Sequence, residues 1–257
     1  LAGISCGAVI GAMLADRMGF ARVFILSGAL VLLGLFFAVK YLPDMPAERT
    51  KDDSPKSIRE LWGFLTNRQV LAYLLFVLLP ISIVSIYLAY FVPMYTGNAG
   101  ISIGDTGRII LLNGICIIYA GPFLSRYLIA KMGDRKATIL FLSLAAGGLL
   151  TFAYFNNLAG MLASVIVLGI AESFGAASNT NYYLGLEKTA VYGEGKALGV
   201  YSVANKLGQM LGPLIFGLLS SASMSAGAGI VGLGIILFML LFILISHENR
   251  KVKGSDV

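Results

Sequence analysis

The sequence predicts an all-α protein that crosses a membrane several times, and its composition and its hydropathy pattern together predict this class. Of its 257 residues, 58% are hydrophobic and 12% are charged, and the mean hydropathy is +0.85. A soluble domain carries about 25% charged residues, so an ordinary soluble domain and a disordered chain are both excluded. The apolar segments show no period of two, which argues against a transmembrane barrel and leaves helices to satisfy the backbone in lipid.

Eight apolar segments can be drawn, since a membrane-spanning helix needs about 20 residues. They cover 1–15, 23–41, 70–95, 109–128, 137–155, 158–183, 197–220 and 226–246. Both cysteines, Cys6 and Cys116, lie inside these segments, which predicts neither a disulfide framework nor a zinc site. The chain begins at Leu1 without the charged region of a signal peptide, so we expect it to be part of a longer protein.

The positions of lysine and arginine predict the orientation. Of the 19 such residues, Arg17, Arg22 and Arg108 fall in one set of alternate loops and Lys206 falls inside a segment. All the others fall in the remaining loops or in the tail 247–257. Because positive charge marks the cytoplasmic side, we expect the tail to be cytoplasmic in an integral protein of the plasma (inner) membrane. Topology then explains the net charge of +6, and no nucleic-acid partner is expected.

The segment 42–69 is the one long linker. Its first part is polar, and Ser57-Ile58-Arg59-Glu60 matches a capping box that begins a helix. Apolar residues follow at helical spacing: Ile58, Leu61, Trp62 and Leu65. This pattern predicts an amphipathic helix, which either lies on the cytoplasmic membrane surface or packs on other loops.

The first two and the last two segments resemble each other. Gly3-x-x-x-Gly7-Ala8 corresponds to Gly208-x-x-x-Gly212-Pro213 at an offset of 205, and 23–41 falls on the last segment at the same offset. Small residues at every fourth position let helices approach closely. A repeat of this kind has a period of six helices, which predicts a twelve-helix protein of which this chain covers helices five to twelve.

Four motifs resemble the major facilitator superfamily of membrane transporters. The segment 11–24 resembles that family's turn between helices five and six, and 131–136 resembles its basic turn between helices eight and nine. The segment 208–217 is similar to its eleventh helix, and the charged loop before Arg68 is similar to the link between its halves. The residues that carry the three short motifs are Asp16, Arg17, Gly19, Lys131, Gly133, Arg135, Gly208, Gly212 and Pro213.

The resemblance implies an organisation and a function. Residues 1–41 would be the last two helices of the N-terminal six-helix half, 42–69 the cytoplasmic loop between the halves, and 70–246 the C-terminal six-helix half. The protein would be a monomer in the bilayer. It would move a small solute by alternating access, coupled to protons, as a symporter or an antiporter.

The chain departs from the family pattern in two places, of which the first motivates an alternative function and the second argues against an antiporter. Arg126 and Ala130 stand where the turn usually has Gly and Asp, and Gly7-Ala8 stands where an antiporter signature has Gly-Pro. A membrane sensor or receptor that kept the fold and lost transport would tolerate the altered turn. A truncated product without function is a third possibility.

One acid and one base lie deep inside the segments, namely Glu172 and Lys206. An ionised side chain near the bilayer centre costs about 2.5–3.5 kcal/mol on insertion scales, so each needs compensation. They lie on consecutive antiparallel segments at similar depth, and each belongs to a polar stripe at helical spacing. We therefore predict a Glu172–Lys206 pair that faces an aqueous cavity. Glu172 would be a proton or substrate switch and Lys206 an anion contact or counter-charge. The alternative is a static ion pair that fixes helix packing.

Polar neighbours extend this candidate site. The predicted proton-coupling or substrate-binding residues are Glu172, Lys206, Gln209, Asn113, Asn179, Asn205, Tyr87 and Tyr90. Asn113 could instead bond a neighbouring helix. The two tyrosines follow Pro80, where a helix can kink near a site, but they could equally belong to the core or to the membrane interface.

No pattern in the sequence predicts an enzyme, a cofactor or a metal site. Gly227-x-Gly229-x-x-Gly232 matches a dinucleotide fingerprint, but no strand precedes it, so close helix packing is the expected role. His247 has no clustered ligands and is expected to be a solvated tail residue. Neither a Ser/His/Asp set nor a pair of carboxylates within one segment is visible.

Overall fold

The computed structural model describes residues 2–41, 58–221 and 223–253, and every regular element within them is a helix. The predicted all-α class is confirmed. The described helices are α1 (Ala2–Met18), α2 (Phe20–Tyr41), α3 (Ile58–Leu65), α4 (Arg68–Asn98), α5 (103–132), α6 (134–155), α7 (Leu158–Leu184), α8 (Glu187–Tyr192), α9 (Glu194–Leu219) and α10 (Met224–Lys253). Each of the eight segments drawn from the sequence coincides with one of the long helices.

Five described helical stretches are long and apolar enough to cross a membrane by length and composition. They are α2, α4, α7, the part 224–246 of α10, and the continuous run of α5 and α6. Gly133 divides that run, because its φ of 75° and ψ of 162° are not helical. Backbone with a positive φ favours glycine, which has no Cβ to clash with the carbonyl oxygen. The run is therefore two helices joined by a turn at a glycine.

The helix α4 contains two stretches of wider π-helical turns, Leu74–Leu78 and Tyr87–Phe91. Each ends shortly before a proline, Pro80 or Pro93. Proline has no backbone N–H to donate, and its ring crowds the carbonyl one turn earlier, so the preceding turn widens to accommodate it. Asn67 begins the same helix, where its Oδ1 accepts hydrogen bonds from the Gln69 and Val70 N–H groups at 3.1 and 3.4 Å.

Helices that are consecutive in the chain are not always the ones that pack together. α7 packs along α5 and α6, α10 packs on α6, α9 packs on α4, and α1 packs on α5. Aromatic rings fill the centre, where Phe91 of α4 lies 5.5 Å from Phe152 of α6 and 5.2 Å from Phe216 of α9, measured between ring centroids. None of the residues of α2 is buried within the described part of the chain.

The amphipathic helix predicted in the linker is present as α3, with Ile58 and Trp62 exposed. Its Phe64 is buried and stacks on Tyr192 of α8, with ring centroids 4.2 Å apart. One face of α3 thus packs on another connecting segment and the opposite face is open. Ser57 of the predicted capping box and the side chain of His247 lie outside the described residues.

Candidate functional site

Glu172 lies on α7 next to a seam where α7 approaches α5 closely. A Cβ at Gly169 would lie 2.7 Å from the Cβ of Cys116 and 2.9 Å from the backbone oxygen of Asn113. Only glycine therefore fits at this position, and the close approach brings the next turn of α7 to the side chain of Asn113. The Asn113 Nδ2 donates a hydrogen bond of 3.2 Å to Glu172 Oε2.

The carboxyl group of Glu172 has one polar neighbour, and its side chain is partly exposed. Asn113 is buried, and Glu172 is half-buried. Among the residues that the structure describes, the amide of Asn113 is the hydrogen-bond partner of Glu172, and no cation lies within ion-pair distance. The carboxyl group can therefore exchange a proton without breaking an ion pair.

A second polar cluster lies between α4 and α9. A Cβ at Gly208 would lie 2.5 Å from Ser82 Cβ, and one at Gly212 would lie 2.7 Å from Ile86 Cβ. Glycine at both positions allows the two helices to pack almost backbone to backbone. This contact brings the polar side chains that flank it within hydrogen-bond distance of one another.

A chain of hydrogen bonds runs through this cluster. Lys206 Nζ donates to Gln209 Oε1 at 3.0 Å, Gln209 Nε2 donates to Ser85 Oγ at 3.4 Å, and Ser85 Oγ donates to the backbone oxygen of Ser82 at 2.7 Å. Lysine is only a donor, so its bond to Oε1 determines which way the Gln209 amide points. Asn205 joins the cluster, since its Oδ1 lies 2.7 Å from Ser82 Oγ.

The two clusters do not meet in this conformation. Glu172 faces Asn113, whereas Lys206 faces Gln209, so the ion pair predicted between them is absent from the described structure. The prediction assumed that consecutive helices are also neighbours in space. Instead, α7 packs along α5 and α6, and α9 packs on α4. The acid and the base each have a different amide side chain as their hydrogen-bond partner.

The two predicted tyrosines have different surroundings. Tyr87 is buried in the aromatic core, where Ser164 Oγ donates to its Oη at 3.1 Å and its own Oη contacts Met161 Sδ at 3.4 Å. Tyr90 is exposed, one turn further along α4. Asn179 is buried, and its Oδ1 has no hydrogen-bond partner among the described residues.

The turn motifs lie at opposite ends of the helix bundle. At the Gly133 end, Lys131 Nζ donates to Tyr127 Oη at 3.1 Å and Arg135 Nε donates to Ser246 Oγ of α10 at 2.6 Å. At the other end, Gly19 separates α1 from α2 with a φ of 81°. Arg17 is exposed there.

Asp16 lies at the same end as Arg17, where α1 meets the beginning of α5. Its Oδ2 lies 2.8 Å from the position that a Cβ on Gly104 would occupy. Gly104 is buried in the first turn of α5. Ser102 caps this helix, because its Oγ accepts a hydrogen bond of 3.0 Å from the Asp105 N–H. The carboxylate of one helix is thus fitted against the first turn of the other.

Sequence reasoning missed Ser82, Ser85 and Gly169. Serines are common inside apolar helices, where they bond the preceding turn of their own backbone, and Ser82 also does so, to Leu78 O at 2.7 Å. Their spacing of three residues on α4 places them on one face and was the available signal. Gly169 has no signal of its own, because its effect depends on which helix lies opposite.

The sequence model of the Major Facilitator Superfamily matches residues 1–190. An uncharacterized MFS-type transporter of Methanocaldococcus jannaschii is 23% identical over 224 residues, which cover 85% of this chain and 56% of the relative. A homolog of the multi-drug resistance efflux pump PmrA from Lactococcus lactis is 25% identical over 258 residues, which cover 98% of this chain and 61% of the relative. The chain therefore spans about three fifths of the length of these curated relatives.

Proposed function

Because the chain belongs to the Major Facilitator Superfamily, a family of membrane transporters, we propose that the protein is a secondary transporter coupled to protons. It moves a small solute across the bilayer by alternating access, as a monomer, in a plasma membrane with the C-terminus in the cytoplasm. The observation that carries proton coupling is the contact between Glu172 and Asn113 in the middle of the bundle.

Glu172 is suited to bind and release a proton. It lies inside a helix long enough to span the membrane, where a fixed charge is costly. An amide partner can remain in place in both states, because its N–H bonds a carboxylate oxygen and its oxygen can accept from a protonated carboxyl after a rotation. A lysine or arginine partner would instead favour the ionised state. Glu172 is half-buried, so its side chain is not completely enclosed by the described helices.

The packing of α1 on α5 supports alternating access. In this proposal α1 and α2 belong to one half of the transporter and α4 to α10 belong to the other. The contact of Asp16 with the first turn of α5 then lies between the halves, at the end of the bundle opposite Gly133. Such a contact would form when that end closes and separate when it opens.

The experiment measures solute-driven proton movement in proteoliposomes that contain the protein and an internal pH-sensitive dye. Three probes of similar size are added in turn: benzenesulfonate, benzyltrimethylammonium and benzyl alcohol. We expect one class of probe to drive proton movement, and Glu172→Gln to reduce it by at least about tenfold, since the neutral amide carries no exchangeable carboxyl proton.

The matched control is Glu194→Gln, which removes an exposed acid from the first turn of α9. This variant is expected to keep the proton movement of the unaltered protein. Proton movement that survives Glu172→Gln would place the proton site elsewhere. Silence of the unaltered protein towards all three classes would contradict coupled transport and favour the sensor alternative.

A further inference from the structure

The polar cluster on α9 contains more hydrogen-bond donors than acceptors. The ammonium of Lys206 has three N–H donors, and one of them faces Gln209 Oε1. One N–H of Gln209 Nε2 faces Ser85 Oγ, and the other is free among the described residues. The hydroxyl hydrogen of Ser85 is committed to the backbone oxygen of Ser82. Three N–H groups and one positive charge are therefore available at this point.

The position of Lys206 on α9 leaves it accessible. This helix has a buried face, which packs on α4 through Gly208 and Gly212, and an exposed apolar face formed by Leu207, Met210 and Leu214. Lys206 and Gln209 lie on a third face, between these two. Lys206 is exposed and Gln209 is half-buried. The ammonium group of Lys206 thus lies away from the apolar face of α9, which is suited to contact lipid. The ammonium group itself is accessible to a solute.

Nothing within the described residues neutralises this charge. No carboxylate of the described residues lies within ion-pair distance of Lys206, and Glu172, the partner predicted from the sequence, is hydrogen-bonded to Asn113 on another helix pair. An ammonium without an ionic partner is favoured by an anionic ligand, whose oxygen acceptors form charge-assisted hydrogen bonds with its N–H groups. A cationic ligand would be repelled.

We propose that Lys206, oriented by Gln209, binds the acidic group of a small organic anion, a carboxylate, sulfonate or phosphate, and that this anion is the transported solute. That the anion is transported rests on the proposed function, whereas the binding of the anion at Lys206 does not depend on it. Gln209 is a positioning residue for the ammonium and also presents its free N–H to the same acidic group.

Equilibrium dialysis of the purified protein in a neutral detergent tests the inference. The probe is radiolabelled benzenesulfonate, with benzyltrimethylammonium and benzyl alcohol as competitors of similar size and different charge. We expect binding that neither competitor displaces. Lys206→Gln should weaken it by about tenfold or more, because a hydrogen bond to a charged group is lost. Lys206→Arg should retain most of the affinity, since it keeps the charge.

The control is Lys136→Gln, which removes an exposed lysine at the beginning of α6 and should leave the affinity unchanged. Three results would overturn the anion site: no binding of benzenesulfonate to the unaltered protein, equal affinity in Lys206→Gln, or equal loss in Lys136→Gln. Preference for benzyltrimethylammonium together with proton movement that needs Glu172 would overturn it while leaving the proposed function intact. Anion binding that depends on Lys206, found without any proton movement, would support the anion site and contradict the proposed proton coupling.

Discussion

At the residue scale, the central feature is a carboxyl group held by an amide from another helix. Asn113 is buried and donates to Glu172, and the glycine one turn earlier on α7 makes that reach possible. A buried amide that loses its partner leaves donors without acceptors, which costs about 1–3 kcal/mol. The contact therefore contributes to stability as well as to the proposed proton site, and the two roles can be separated.

A double-mutant cycle measures the contact itself. We expect Asn113→Ala and Glu172→Ala, each of which removes one partner of the hydrogen bond, to be non-additive in the free energy of unfolding, with a coupling of about 0.5–3 kcal/mol, as is usual for residues in direct contact. Unfolding is followed in detergent with increasing denaturant. The control cycle pairs Glu172→Ala with Asn181→Ala, an exposed position further along α7, and should be additive within about 0.5 kcal/mol. Additivity in the first cycle would mean that the hydrogen bond has no energetic weight.

At the scale of helices, α9 shows how one helix holds its place against another. Its buried face includes Gly208 and Gly212, which pack against α4, and no larger residue fits at either position. Elsewhere on the same helix, a Cβ at Gly199 would have no neighbouring atom within 4 Å. The effect of adding a methyl group to a glycine of α9 on stability therefore depends on where that glycine lies on the helix.

Two alanine substitutions on α9 should change stability in opposite directions. Gly212→Ala would force α9 away from α4 and cost about 1–3 kcal/mol, as overpacking usually does. Gly199→Ala would meet open space and gain up to about 1 kcal/mol, because alanine loses less backbone freedom in a helix. Thermal unfolding of the two purified variants checks this. If Gly212→Ala were instead more stable than the unaltered protein, the contact between α4 and α9 would be able to accommodate a methyl group.

At the scale of the whole molecule, charge and packing divide the bundle into two different ends. The end near Gly133 carries the basic turn with Lys131, Arg135 and Lys136, and the end near Ser102 carries the contact between α1 and α5. The excess of positive charge predicts that the Gly133 end faces the cytoplasm. In this orientation the contact between α1 and α5 would lie at the outer side of the membrane.

Cysteine labelling determines the orientation. After Cys6 and Cys116 are replaced by serine, Arg108→Cys and Lys136→Cys are introduced separately and exposed to a membrane-impermeant maleimide on intact cells. We expect Arg108→Cys to react directly and Lys136→Cys to react only after the cells are opened. The opposite result would invert the topology and place the basic turn outside.

The sequence determined the all-α class, the membrane setting and the positions of the long helices, because hydropathy and backbone hydrogen bonding act locally along the chain. It also singled out Glu172 and Lys206, since an ionisable residue in an apolar segment stands out by itself. Only the tertiary structure decided their partners. Asn113 reaches Glu172, and Ser85 reaches Gln209, because glycines allow particular helices to approach one another. Which helices are neighbours depends on the packing of the whole bundle, and chain order does not contain that information.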